Sequence, residues 1–110
     1  HLSYESTFKG IALEWYKENK AGWSESHATR TISYLERDVF PLIGARDVDM
    51  LTAPELIPVI KNVSSRGAID ATKRVKGFIQ QVFDYAVVHG KAGRSPGQRY
   101  KYFPDLAQNG

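Results

Sequence analysis

Tyr34-Leu35-Glu36-Arg37-Asp38-Val39-Phe40-Pro41-Leu42-Ile43-Gly44 is the stretch on which the fold turns. Leading into it, Ala28, Ile32, Leu35 and Val39 recur at the three- and four-residue spacing of one buried helical stripe. At Pro41 the pattern breaks, because proline has no backbone N–H to donate and disfavours a helical conformation at the residue before it, Phe40. The spacing therefore predicts a helix over residues 25–39, with Phe40, Leu42 and Ile43 packing beneath it.

Working outward, three further helices and no strand are predicted. Over residues 7–19, Phe8, Ile11, Ala12 and Trp15 form one apolar stripe, with Ser6 placed to cap it. Ala21-Gly22 breaks that pattern, and Ser24 before Glu25 caps the second helix. Residues 46–51 read as a loop with some buried side chains. Thr52-Ala53-Pro54-Glu55 then has the capping-box spacing with proline in the first turn. The helix it starts runs to residue 64 and buries Leu56, Val59, Ile60 and Val63, with Pro58 an expected distortion. Gly67 suits a left-handed C-terminal position. The longest helix spans residues 70–89 and ends at Gly90; Val75, Phe78, Ile79, Val82, Ala86 and Val87 form its apolar face. Gly77 inside it disfavours the helix, which suggests close approach by a neighbouring backbone.

The composition fits one modest globular domain: 110 residues, 42% hydrophobic and 25% charged. Without cysteine there is no disulfide, thiolate metal site or cysteine nucleophile, which suits a cytoplasmic setting. No apolar run is long enough to span a bilayer. Net charge is only +3, but residues 1–65 carry seven Lys/Arg against nine Asp/Glu, whereas residues 66–110 carry eight against three. Such asymmetry points to an anionic partner, nucleic acid above all, since Lys and Arg neutralise phosphates.

The cations have places on helix faces. The second helix presents Arg30, Tyr34 and Arg37 on its polar side, together with His27; the last presents Lys73, Lys76 and Gln80, flanked by Arg74. Lys and Arg bind phosphates, while Gln or Arg can reach base edges in a major groove that admits a helix. Lys91, Arg94 and Arg99 follow in a turn-rich basic segment and complete the candidate DNA-binding set.

These parts, in this order, resemble the core-binding domain of the phage integrases, the tyrosine recombinase family. The matching residues are 8–15, 30–44 with Phe40-Pro41-Leu42-Ile43-Gly44, Thr52-Ala53-Pro54-Glu55-Leu56, Arg66-Gly67, and 72–90 with Phe83-Asp84-Tyr85-Ala86. The resemblance implies an all-α, four- to five-helix orthogonal bundle of the SAM-like kind over residues 1–96, with 97–110 a linker or tail toward a catalytic domain. It implies a bundle that clamps one face of double-stranded, core-type attachment-site DNA during integration and recombination, while the catalytic domain of the same parent chain closes on the other. It also implies a bacterial or prophage-encoded protein, cytoplasmic and not membrane-bound, and a monomeric isolated stretch, because subunit assembly depends on the catalytic domain.

The family's strand cleavage by a tyrosine hydroxyl belongs to that other domain, so this stretch is expected to be catalytically silent. None of its six tyrosines is placed as a nucleophile: Tyr34 and Tyr85 sit in helical patterns, and Tyr100 and Tyr102 have no surrounding His and Arg cluster. His27 and His89 are far apart in sequence, and His89 near a helix C-terminus is explained by the helix dipole. No metal-ligand spacing, phosphate-binding glycine loop or other cofactor motif occurs. Two other readings compete: a helical protein–protein interaction domain of the sterile-alpha-motif kind with no DNA role, and a helix-turn-helix regulator. The second is disfavoured because the connection over residues 40–51 is longer than the usual tight turn.

Overall fold

A computed structural model describes residues 6–67 and 69–90, and the regular structure in these is helical apart from one isolated bridge between Thr7 and Asp47. The helices are α1 (Phe8–Asn19), α2 (Glu25–Tyr34), α3 (Phe40–Ile43), α4 (Ala53–Ser64) and α5 (Ile69–Val88). A 3₁₀ turn, Lys20–Gly22, follows α1, and a π turn, Leu35–Val39, joins α2 to α3.

Helix α1 begins one residue later than the sequence suggested, with Thr7 as its cap in place of Ser6. The N–H groups of its first three residues, which no helix can satisfy internally, all find acceptors, and that of Ile11 makes the first helical bond. Phe8 and Lys9 donate to the carbonyls of Arg46 and Gly44 (2.8 and 2.9 Å), Gly10 to the Thr7 hydroxyl (3.1 Å) and Ile11 to the Thr7 carbonyl (3.0 Å). The loop after α3 is thereby fastened to the start of α1, and Val48 and Leu51 are buried beneath it. Ser24 caps α2 as expected, accepting from the His27 N–H.

The expected end of the second helix at Pro41 is not observed. Phe40 is helical (φ −59°, ψ −39°), and Gly44 N–H still reaches the Phe40 carbonyl at 2.9 Å. The reason is the π turn, where Phe40 N–H bonds the carbonyl of Leu35, five residues back. The ladder is already broken where proline would break it, and Pro41 falls in the first turn of α3, where its missing donor does no harm. The inward-facing residues also differ from the predicted stripe. Thr31, Leu35, Asp38 and Val39 are buried, whereas Ala28 and Ile32 are only partly so. Ile43 is buried as expected, but Leu42, also expected to pack inward, is 47% exposed.

Helix α4 starts on Thr52 as predicted. Glu55 Oε2 accepts from both the Thr52 N–H and the Thr52 hydroxyl at 3.0 Å, while its other oxygen takes Arg46 Nε at 2.7 Å. The helix passes through Pro58 without interruption. After Gly67 (φ +74°), α5 runs to Val88, and Gly90 adopts φ +73° in a left-handed ending that favours glycine. Helix α5 packs against both α1 and α4. Phe8 and Phe83, both fully buried, meet at 5.6 Å between ring centres. Gly77 is not a site of close approach, since a Cβ there would have no atom within 4 Å.

Candidate nucleic-acid interface

The polar side of α2 and one flank of α5 meet at an open surface depression of about 240 Å³. It is lined by Arg30, Ser33, Tyr34, Arg37 and Arg74. The α2 side chains recur at three- and four-residue spacing, which puts them on one stripe. Arg74 reaches them because α5 turns Phe78, one turn further on, under Tyr34 with ring centres 6.4 Å apart. The Arg37 guanidinium sits 5.6 Å over the Tyr34 ring, within cation–π range. Tyr34 thus has both the Phe78 ring and a cation against it.

The floor beside this depression is ionic. Asp38, carried inward by the π turn, accepts from Arg66 Nη1 and Nη2 at 2.8 and 2.9 Å, and Arg37 Nε stands 3.5 Å from the same carboxylate. The Arg66 hydrogen bonds hold the Asp38 carboxyl below the usual carboxylate range, and burial opposes them without prevailing. Sequence reasoning placed neither Asp38 nor Arg66 in the site. The pair is 28 residues apart, and no local spacing reports it.

Four of the ten predicted DNA-binding residues, Arg30, Tyr34, Arg37 and Arg74, are therefore brought together. Lys73 is exposed on α5 but does not line the depression. Gln80 is half-buried and donates to Asp84 Oδ1 at 3.0 Å. Lys76 is a correction: expected on the exposed polar stripe, it is buried, and desolvation pulls its ammonium pKa down. Its position, at about 100° per residue, lies only some 20° beyond Phe83 on the helical wheel. Val87, on the predicted apolar face, lies about 20° to its other side, so Lys76 stands within the apolar arc and not on the opposite stripe. His27, placed with the polar residues of α2, is half-buried and meets the Trp23 ring edge-on at 4.7 Å. Lys91, Arg94 and Arg99 lie outside the described residues.

The geometry defines a class: a small all-helical domain with a cation-rich, aromatic-floored face on its second and last helices. The family follows from comparison. The model of the phage integrase central domain matches residues 8–102, and the chain belongs to that family. It is 31% identical over 94% of its length to prophage integrase IntS of Escherichia coli K12, and equally so to the integrase of Shigella phage Sf6. Against the integrase of Enterobacteria phage P4 the identity is 37% over 82% of the chain. The chain spans only 29% of the length of the first two relatives and 20% of the third. An NMR structure of a fragment of E. coli IntS superposes with a TM-score of 0.81 at 31% identity, covering 97% of this chain and 86% of that one. The helical bundle expected from the family is thus the fold observed. No helix among the described residues is long and apolar enough to cross a membrane.

Proposed function

We propose that this domain is the core-binding, DNA-contacting part of a phage or prophage site-specific integrase. It holds core-type attachment-site DNA as one side of a clamp, and the catalytic domain of the same parent chain forms the other. Residues 1–96 form the bundle, 97–110 lead toward the catalytic domain, and strand cleavage is carried out by residues of that domain in the bacterial cytoplasm. The carrying observation is the convergence of Arg30, Tyr34, Arg37 and Arg74, from two helices, on one open depression. Guanidinium groups supply bidentate, always-charged contacts to phosphate. An open depression suits a continuous polyanion better than an enclosed small ligand. Half a clamp makes few phosphate contacts, so binding by this domain alone is weak and falls steeply with salt.

An amide chemical-shift titration with a generic DNA duplex, at low and then physiological salt, tests this. Shifts confined to α2, the start of α5 and the residues after Gly90, collapsing as salt rises, are the expected result. No localised shifts at low salt would overturn the proposal and favour a protein-docking role for the same faces.

A further inference from the structure

Asp38 is a buried carboxylate on a surface otherwise suited to an anion. The π turn holds it at 1% side-chain exposure, under an Arg66 that remains 43% exposed and an Arg37 that is 63% exposed. A guanidinium has five N–H donors in a rigid plane. Asp38 takes two of those of Arg66 in a two-point contact, which fixes the plane and leaves three donors over. Arg37, which lines the depression, stands 3.5 Å from the same carboxylate. Arg66 therefore stands at the edge of the cationic face with its orientation set from beneath.

We propose that Arg66 is a further DNA-phosphate contact of this face and that Asp38 is its positioning residue, delivered inward by the π turn Leu35–Val39. The inference rests on the DNA-binding reading above. Arg66 sits on the C-terminal side of α4, and without a fixed partner its long side chain would sample many orientations, each a loss on binding. A buried carboxylate restricts it at the cost of one negative charge under the face. That cost gives the proposal a distinctive sign. Asp38→Asn makes the chain more positive by one charge, and a face acting only through its summed field would then bind DNA more tightly. A face that depends on an oriented Arg66 binds less tightly.

The experiment is a salt series of fluorescence-anisotropy titrations with a labelled generic duplex, using this chain and the variants Arg66→Ala, Arg66→Lys, Asp38→Asn, Arg37→Ala and Arg74→Ala, with amide spectra to verify each fold. Arg66→Ala is expected to reduce the slope of log affinity against log salt by about 1. Arg66→Lys keeps the slope but weakens binding about fivefold, since an ammonium cannot hold Asp38 at two points and still present an oriented fork. Asp38→Asn weakens binding about threefold despite its added positive charge. Unchanged or tighter binding by Asp38→Asn overturns the positioning role, and an unchanged slope for Arg66→Ala overturns the contact. Should Asp38→Asn not fold, Arg66→Lys decides: affinity equal to the unsubstituted chain overturns the proposal. If Arg37→Ala and Arg74→Ala lose affinity while the Arg66 variants do not, the DNA-binding reading stands and this inference alone falls. If the unsubstituted chain binds no duplex, that reading fails first.

Discussion

Tyr85 places its hydroxyl between Glu14 and Glu18, 2.7 Å from Oε2 of the first and 2.6 Å from Oε2 of the second, and so ties the end of α5 to α1. The two carboxylates are four residues apart on α1 and share a face, which is why one phenol reaches both. Burial, and then the two carboxylates, push the Tyr85 phenol well above the ordinary tyrosine range. Tyr85→Phe is expected to lower stability by about 1 kcal/mol, measured by urea unfolding at neutral pH. The pH dependence has a definite sign. The folded state favours the neutral phenol, so the contribution is complete below the unfolded tyrosine pKa of about 10 and is lost as pH climbs toward the folded value. The stability difference between the two proteins should shrink in alkali, and an ultraviolet titration should show one phenol ionising after the others.

Two glycines, Gly44 at the end of α3 and Gly77 within α5, are expected to respond to alanine with opposite signs. At Gly44 an added Cβ would lie 2.7 Å from the Phe40 carbonyl oxygen and 3.0 Å from its Cα, both backbone atoms that cannot swing away. Gly44→Ala therefore destabilises by about 1–3 kcal/mol, as overpacked sites do. At Gly77, inside α5, nothing lies within 4 Å. Gly77→Ala gains helix propensity and should raise stability by up to about 1 kcal/mol. Thermal unfolding of the two variants checks both signs; a lowered Tm for Gly77→Ala would mean that α5 meets something at that position.

Acid should loosen the domain through two carboxylates. Asp38 is held below the usual range chiefly by the hydrogen bonds from Arg66, and Glu55 chiefly by that from Arg46. Because the folded values lie below the unfolded ones, the stability these groups supply is present above about pH 4 and is lost as pH falls through the folded values. Glu55 and Arg46 are both substantially exposed, and solvent screening makes their share the smaller. Unfolding measured from neutral pH down to about pH 3 should flatten in Asp38→Asn and change little in Glu55→Gln.

Much of the fold was legible because it rests on local chemistry. Ser24 and the Thr52-Ala53-Pro54-Glu55 start cap helices through bonds made within three residues, and the stripe Val75, Phe78, Ile79, Val82, Ala86 lies on one helix whose period is fixed. The π turn was not legible. A single inserted residue leaves the three- and four-residue spacing of Leu35 and Val39 intact to the eye, yet it turns Asp38 inward and lets the helix continue through Pro41. The site was legible to the same degree. Arg30, Tyr34 and Arg37 share one helix and could be grouped by spacing, whereas the pairing of Asp38 with Arg66 depends on how α4 ends against the π turn. Sequence periodicity carries no record of that contact.

Arg74 and Lys76 are two cations on α5 whose opposite surroundings allow the DNA face to be located. Arg74 lines the depression with Arg30, Tyr34 and Arg37, while Lys76 is buried within the apolar arc, its charge disfavoured by desolvation. A phosphate contact requires a cation that the polyanion can reach, and each such contact contributes about 0.9 to the slope of log affinity against log salt. Arg74→Gln should therefore weaken binding at low salt and reduce that slope by about 1, roughly uniformly across duplex sequences. Lys76→Gln should leave the slope unchanged. The two variants differ from the parent by the same loss of one charge, so a face that acts only through net charge would treat them alike. Equal slope reductions in anisotropy titrations would show that Lys76 reaches DNA, and the contact surface would then extend round α5 toward Lys73 and Gln80, away from α2.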